Sequence, residues 1–370
     1  MSDRPLIVGA GPTGLSAALF LALKGVPARI IDQCPAPVTE SRAQVVNPRA
    51  LELLEPTGIV GAVLAEGHAI HRTRFYEGWE PIAELEFGDV HPRYRPIVLA
   101  QARTEALLTQ ALAQHGLQPE RGVRFEGLTQ NGGDVTATLV HADGSREAAR
   151  APILLGVDGA HSRVRAALEV GFDGSAFPEP WPLFDVHLND PLDFESAHVS
   201  FVRDGLVFLL GLKPGLWRLF AGVPDALHHL PPHTARGAIE WRSSFHISHR
   251  LATRECIGRV ALAGDAAHIH SPVAARGMNL GIEDAYVFAE CAVDALQGDW
   301  NRLNDFERLR RAVHHSVIRR VRVLTELARG RPRVVGALRH PVISGARRFP
   351  PVAHAMTALL TGLDHEVRVH

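Results

Sequence analysis

The sequence predicts an α/β protein: a nucleotide-binding unit with a parallel sheet, interrupted by a mostly antiparallel sheet and followed by a helical region. Three observations carry this expectation. The chain opens as strand, glycine turn, helix, strand, with an apolar run ending at Gly9, the turn Gly11-Pro12-Thr13-Gly14, an apolar helix Leu15 to Lys24 stopped near Gly25, and Ala28 to Asp32. Connections that short make the two strands parallel with a right-handed crossover. Between about 173 and 257 the texture changes to short β-rich runs separated by turn signals, Asp204-Gly205 and Pro214-Gly215 among them. The α/β pattern then returns at Arg259 to Ala263, with a helix from about Leu280 to Leu296.

In chain order, Pro48 to Leu54 reads as helix, and Thr104 to His115 as a second one with Gly116 as its stop. Val135 to Val140 followed by Asp143-Gly144 reads as a hairpin leading into the strand Ile153 to Val157, which runs into Asp158-Gly159. Val199 to Val202, Val207 to Leu212 and Trp217 to Val223 are the strands of the inserted sheet. From Asn304 onward the chain is helical and arginine-rich, interrupted by Pro332, Pro341, Pro350 and Pro351. A chain of 370 residues exceeds one ordinary domain. The expected division is a discontinuous nucleotide domain (1–70, 101–172, 258–300), a substrate-binding sheet domain (71–100, 173–257) and a helical region (301–370).

Composition narrows the function. A hydrophobic fraction of 46% with 21% charged residues is that of a folded globular chain. A formal net charge of -1 gives no field to draw nucleic acid or an anionic membrane. Cys34, Cys256 and Cys291 are widely spaced and form no Cys-x-x-Cys pair, so neither a disulfide framework nor a zinc site is expected, in keeping with a reducing cytoplasm. No apolar run reaches the roughly 18 residues that cross a bilayer.

Gly9, Gly11 and Gly14 form G-x-G-x-x-G between strand and helix, with Asp32 at the end of the next strand, 18 residues after Gly14. The glycines allow a tight turn and close approach of a pyrophosphate. Pro12 and Thr13 complete the turn and count with the glycines as cofactor-binding, the N-terminus of the helix that follows supplies free N–H groups, and the carboxylate accepts ribose hydroxyls. This is the Rossmann-like signature for a dinucleotide, and NAD and FAD present the same ADP half to it.

Two further segments resemble motifs of the FAD-dependent aromatic hydroxylases, the flavoprotein monooxygenase family of p-hydroxybenzoate and phenol hydroxylases. They are Leu155-Gly156-Val157-Asp158-Gly159-Ala160 with Arg163 and Arg165, and Gly258-Arg259-Val260-Ala261-Leu262-Ala263-Gly264-Asp265-Ala266-Ala267-His268. Pro272 to Ala285, with Arg276-Gly277-Met278-Asn279 and Glu283-Asp284-Ala285, continues the resemblance in order. The resemblance implies FAD in a three-layer domain, with Asp265 beside Gly264 on the ribityl hydroxyls and Asp158 at the pyrophosphate region. It also implies that the helix after Gly277-Met278-Asn279 faces the flavin pyrimidine. Arg42 resembles a mobile cofactor-contacting arginine, and Gln101 with Arg103 the flavin-side segment before a helix. Arg42 and Pro272 are the catalytic candidates.

The implied reaction is hydroxylation of a small aromatic substrate, phenolic or polyketide-like, by NAD(P)H and O2 through a flavin C4a-hydroperoxide. The cofactor supplies the chemistry, so no protein nucleophile is required. Phe201, Phe208, Phe220 and Trp241 are the expected pocket walls. His268 with His270, and His228, His229 and His233, lack the companion ligands of a metal site, and no metal is expected. Self-association through the last 70 residues is open. Epoxidation, halogenation, alkene reduction and FAD binding without turnover are the alternatives, although the Trp-x-Trp-x-x-Pro segment of halogenases is absent. One departure stands out: Ala274-Ala275-Arg276 occupies the place where relatives commonly have Gly-Gly-Gln, which bears on the loop beside the ring system.

Overall fold

The computed structural model describes residues 4–37, 43–88, 90–189, 192–203, 205–330, 343–345 and 349–370. Its helices are α1 (Pro12–Leu23), α2 (Pro48–Leu54), α3 (Val60–Glu66), α4 (Gln101–Gln114), α5 (Arg163–Ala167), α6 (Gly277–Leu296), α7 (Arg302–Arg329) and α8 (Pro350–Thr361).

A six-stranded sheet runs in the order Cys256–Ile257, Val260–Leu262, Leu154–Gly156, Leu6–Val8, Arg29–Asp32, Glu120–Arg121. All pairs are parallel except the first. Its central strands Val260–Leu262, Leu154–Gly156 and Leu6–Val8 are buried throughout because both faces are covered. Ile7, Ile30, Leu155 and Ala261 point into a core with α1, α4 and α6, built from Leu15, Leu19, Leu108, Ile282 and Phe288. Leu6, Val8, Ile31, Leu154 and Leu262 point the other way, onto Phe125, Val135 and Leu139 of a three-stranded sheet. That third layer comprises Arg124–Gln130, Val135–Val140 and Arg146–Ala151, all antiparallel. The expected hairpin thus has a third strand, Arg124–Gln130, hidden because Arg124, Glu126, Thr129 and Gln130 break its apolar pattern.

The second large sheet has eight strands, ordered His268–Ile269, Ala235–Ala252, Phe172–Asn189, Leu216–Ala221, Gly205–Lys213, Ser196–Val202, Arg72–Glu77, Glu80–Glu86. Only Ser196–Val202 with Arg72–Glu77 is parallel. Two of its strands are 18 residues long. Phe172–Asn189 contains Pro178, Pro180 and Pro182, and a register shift between Ala176 and Pro180 accommodates the first of them. One face carries Trp181, Leu183, Phe201, Phe220 and Ile247. The other carries Val186, Val207, Leu209, Trp217 and Leu219. No helix among the described residues is long and apolar enough to cross a membrane.

Three helices begin earlier than the sequence reading placed them. Helix α1 starts at Pro12 instead of Leu15, α4 at Gln101 instead of Thr104, and α6 at Gly277 instead of Leu280. The first turn of a helix tolerates Pro and Gly because its amides need no intrahelical acceptor.

Candidate functional site

The glycine turn is shaped by contact, not by flexibility alone. Gly9 has φ +116°, and a Cβ there would lie 2.4 Å from the Val157 carbonyl oxygen. A Cβ on Gly14 would fall 2.0 Å from the Gly9 oxygen, so α1 can approach the strand end only with glycine here. Gly11 differs, since a Cβ there would meet nothing within 4 Å. It caps α1 without a side-chain hydrogen bond and with no acidic residue in the first turn, which leaves the Thr13 and Gly14 amides free to face a ligand. Asp32 closes the turn: its carboxylate accepts from the Ala10 N–H at 2.7 Å and the Cys34 N–H at 2.8 Å. Arg121 lies 3.6 Å from it.

A second helix N-terminus stands beside the first. The Leu280 amide donates to the Arg276 carbonyl at 2.8 Å, so the amides of Gly277, Met278 and Asn279 precede the helical ladder. This end of α6 is likewise uncapped by any side chain, and a Cβ on Gly277 would meet nothing within 4 Å. Thr13 locks the two helices together. Cβ atoms on Gly281 and Gly264 would lie 2.2 and 2.7 Å from its hydroxyl oxygen. Asp265 follows Gly264 in a 3-10 turn and is exposed.

Other predicted residues serve the scaffold through their side chains. Asp158 accepts from the Ser162 hydroxyl at 2.5 Å and from the Arg163 and Val164 amides at 2.6 and 3.2 Å, fixing the start of α5. Asn279 donates to the Val45 and Ala275 carbonyls at 2.9 and 2.8 Å and accepts from the Asn47 amide at 3.0 Å. What it can offer a ligand is its main-chain N–H. Gln101 donates to Glu105 at 2.9 Å, and Arg103 pairs with Glu66 at the surface. Pro272 is exposed and its carbonyl accepts from the Ala275 amide, so it brings no acid or base. Arg42 lies outside the described residues. Phe201, Phe208, Phe220 and Trp241 all belong to one cluster on one face of the large sheet, against which Val273 of the 272–274 turn also packs.

The sequence reading missed a buried charge network behind the site. Asp284, fully buried in α6, accepts from the Gly264 amide at 3.0 Å and bonds His268 at 2.6 Å, Arg310 at 2.7 Å and His314 at 2.7 Å. His314 also bonds Glu255 at 2.9 Å. The signal was present as Glu283-Asp284 within an apolar helix and Arg310 and His314 one turn apart on the next. His268, Asp284 and His314 present ligand atoms within 4.8 Å of one another. These atoms bond one another directly, with Arg310 on the same carboxylate, so the cluster is an ion-pair network and not a cation cage.

Burial opposes charge on His314, but the carboxylates of Asp284 and Glu255 hold its pKa up at about 9, against 6.5 for a free imidazole. A raised folded pKa means the network's contribution is fully present below pH 6.5 and is lost as pH climbs toward 9. The loss is on the order of 3 kcal/mol. Urea unfolding followed from pH 6 to pH 9.5 is expected to show a falling midpoint over that window in wild type and a flatter profile in His314→Gln.

Ala275, in the departure from the glycine pattern, adopts φ +50°, ψ +33°. The loop therefore takes the left-handed turn despite alanine, at a cost of about 1 kcal/mol. Ala275→Gly relieves that strain while loosening the unfolded chain, and is expected to change stability by no more than about +1 kcal/mol, read as the thermal midpoint.

A family model described as "FAD binding domain" matches residues 4–204 and 223–321. 6-Methylpretetramide 4-monooxygenase of Streptomyces rimosus is 34% identical over 319 residues, covering 80% of this chain and 57% of the relative. Pentachlorophenol 4-monooxygenase of Sphingobium chlorophenolicum is 31% identical over 305 residues, covering 76% of this chain and 56% of the relative. The chain thus spans somewhat over half the length of these two relatives. A solved structure of p-nitrophenol 4-monooxygenase from Pseudomonas putida superposes with a TM-score of 0.88 at 21% identity, covering 98% of both chains, a likeness of fold.

Proposed function

Because this chain belongs to the FAD-dependent aromatic hydroxylase family, we propose that it hydroxylates an aromatic substrate, phenolic or polyketide-like, with NAD(P)H as reductant and O2 as oxidant. The observation that carries the reading is the convergence of two uncapped helix N-termini on Thr13, with Asp32 at the neighbouring strand end. This arrangement fits a long dianionic dinucleotide: open space before Gly11 and Gly277, free amides on both helices, and a carboxylate at the end of the neighbouring strand.

In this reading Gly9, Gly11, Pro12, Thr13 and Gly14 cradle the pyrophosphate and Asp32 takes a ribose. Asp158 orders the adjoining turn, Gly264 and Asp265 meet the ribityl chain, and Gln101 flanks the ring. The amides of Gly277, Met278 and Asn279 place the positive end of α6 where negative charge develops on reduction. Bound FAD supplies electron transfer from NAD(P)H and oxygen activation. The protein supplies position and dryness: the cluster of Phe201, Phe208, Phe220 and Trp241 excludes water and stacks an aromatic ring. The substrate lies between this sheet face and the α6 N-terminus, which assigns 71–100 and 173–257 to substrate and the three flanking segments to FAD.

The test is NAD(P)H consumption under air by FAD-loaded protein across a panel of phenols and polycyclic aromatics, with product mass followed. A compound that accelerates consumption and gains one oxygen atom is the expected result. Stoichiometric FAD binding with reduction of an alkene and no oxygen gain would replace the hydroxylase reading by a reductase.

A further inference from the structure

The loop that leads into α6 is tied to a segment almost ninety residues further along the chain. Arg276, the last loop residue, is fully buried. Its guanidinium donates to the Leu359 carbonyl at 3.1 Å and to Asp364 at 2.9 Å, and reaches Glu283 at 3.5 Å. The side chain of Asp364 is only 4% exposed and also takes Arg320 at 2.7 Å. His365 bonds Glu283 at 2.7 Å and Asp364 at 3.1 Å.

The same segment presses on the other wall of the loop. Gly362 ends α8 at φ +83°, and a Cβ there would lie 2.7 Å from the Asn47 side-chain nitrogen and 2.8 Å from the Arg49 Cβ. Asn47 is the residue whose amide Asn279 holds, and Arg49 donates to the His365 carbonyl at 3.3 Å. Residues 362–365 therefore touch both the strand-to-helix connection at 45–49 and the turn at 275–279.

We propose that residues 362–365 are a latch on the cofactor loop, with Asp364 a positioning residue that acts through Arg276 to set the α6 N-terminus against FAD. The proposal rests on the FAD reading of that helix end. The loop carries an alanine held at positive φ, where a glycine would sit without strain. Backbone preference does not hold such a loop in place. A buried guanidinium without its carboxylates is strongly unfavourable, so loop and segment dock together or not at all. By linkage, whatever stabilises the docked loop stabilises the docked segment, and the cofactor does so if it binds there. Burial works against the charge of Asp364, yet His365, Arg276 and Arg320 hold its carboxyl at about 2, so it stays an anion in the latch.

The experiment is FAD titration of wild type, Asp364→Asn, Asp364→Glu, Arg276→Gln and the Arg276→Gln/Asp364→Asn double variant. Flavin absorption spectra and hydrogen exchange of residues 362–366, with and without FAD, are recorded alongside. Asp364→Asn is expected to raise the FAD Kd about tenfold or more, with a blurred flavin band, while Asp364→Glu stays within about threefold. The double variant is expected to lose less than the product of the two single losses. FAD is expected to slow exchange at 362–366 in wild type and not in Asp364→Asn. Should Asp364→Asn fail to fold, the comparison passes to Arg276→Gln, which is expected to bind FAD more weakly than the double variant. Wild-type affinity in Asp364→Asn, single losses that simply multiply, or exchange at 362–366 blind to FAD would each overturn the latch. A wild type that takes no FAD overturns the reading of the site itself, and is recognised before any variant is made.

Discussion

Asp284→Ala is expected to lower the unfolding free energy by about 3–5 kcal/mol and to abolish FAD retention. The side chain is fully buried, and both oxygens are occupied: one by the Gly264 amide and His268, the other by Arg310 and His314. Burial raises the cost of its charge, but His314, His268 and Arg310 hold its pKa well below the usual carboxylate range, so it is an anion in the folded state. Removing it leaves Arg310 with Glu283 at 3.3 Å and His314 with Glu255, two cations each short of a partner in a dry interior. The Gly264 amide also loses its acceptor, and Gly264 begins the turn that presents Asp265. Stability and cofactor affinity therefore fall together. Urea denaturation of the cofactor-free protein with FAD titration of the same sample measures both. A stability change under about 1 kcal/mol with FAD binding intact would show that the network carries neither the fold nor the site.

The parts of the molecule that were legible in the sequence are those where one face or one turn decides the residue. Leu6–Val8 and the Ile30-Ile31 centre of Arg29–Asp32 are buried on both faces, and α2 has a proline at its start and apolar Leu51 and Leu54 facing the core, so its bounds match the expectation. Propensity reads the first turns of α1 and α6 as loop, and they form the candidate site. A helix end that binds an anion keeps its amides unpaired, so it is built from residues without strong helix preference, and propensity assigns it to the preceding turn. Asp158 and Asn279 show a second limit. Their positions in motifs were legible, but whether the side chain or only the main chain faces the ligand depends on Ser162 and on Val45, Ala275 and Asn47. The Asp284 network was half legible for a related reason: Glu283-Asp284 in an apolar helix and Arg310 with His314 one turn apart mark α6 and α7, but nothing local in the chain marks Glu255, just before Cys256–Ile257, or His268, at the start of His268–Ile269, as their partners.

Gly11→Val and Gly14→Ala are expected to part company. Gly14→Ala puts a methyl 2.0 Å from the Gly9 oxygen and 3.1 Å from the Val157 side chain, backbone and core that have no room to yield. Overpacking of this kind costs on the order of 1–3 kcal/mol, so fold and cofactor affinity both suffer. Gly11 has an ordinary extended conformation, φ −79°, ψ −175°, and faces open space where a ligand's pyrophosphate would lie. Valine fits the fold there and obstructs only the ligand. Gly11→Val is therefore expected to unfold within about 0.5 kcal/mol of wild type and to raise the FAD Kd at least about a hundredfold. The pair separates two meanings of a glycine triad that the sequence cannot tell apart, one position kept small for the protein and the other for the cofactor. Wild-type FAD affinity in Gly11→Val would place the pyrophosphate elsewhere, and the convergence of α1 and α6 would then be packing alone.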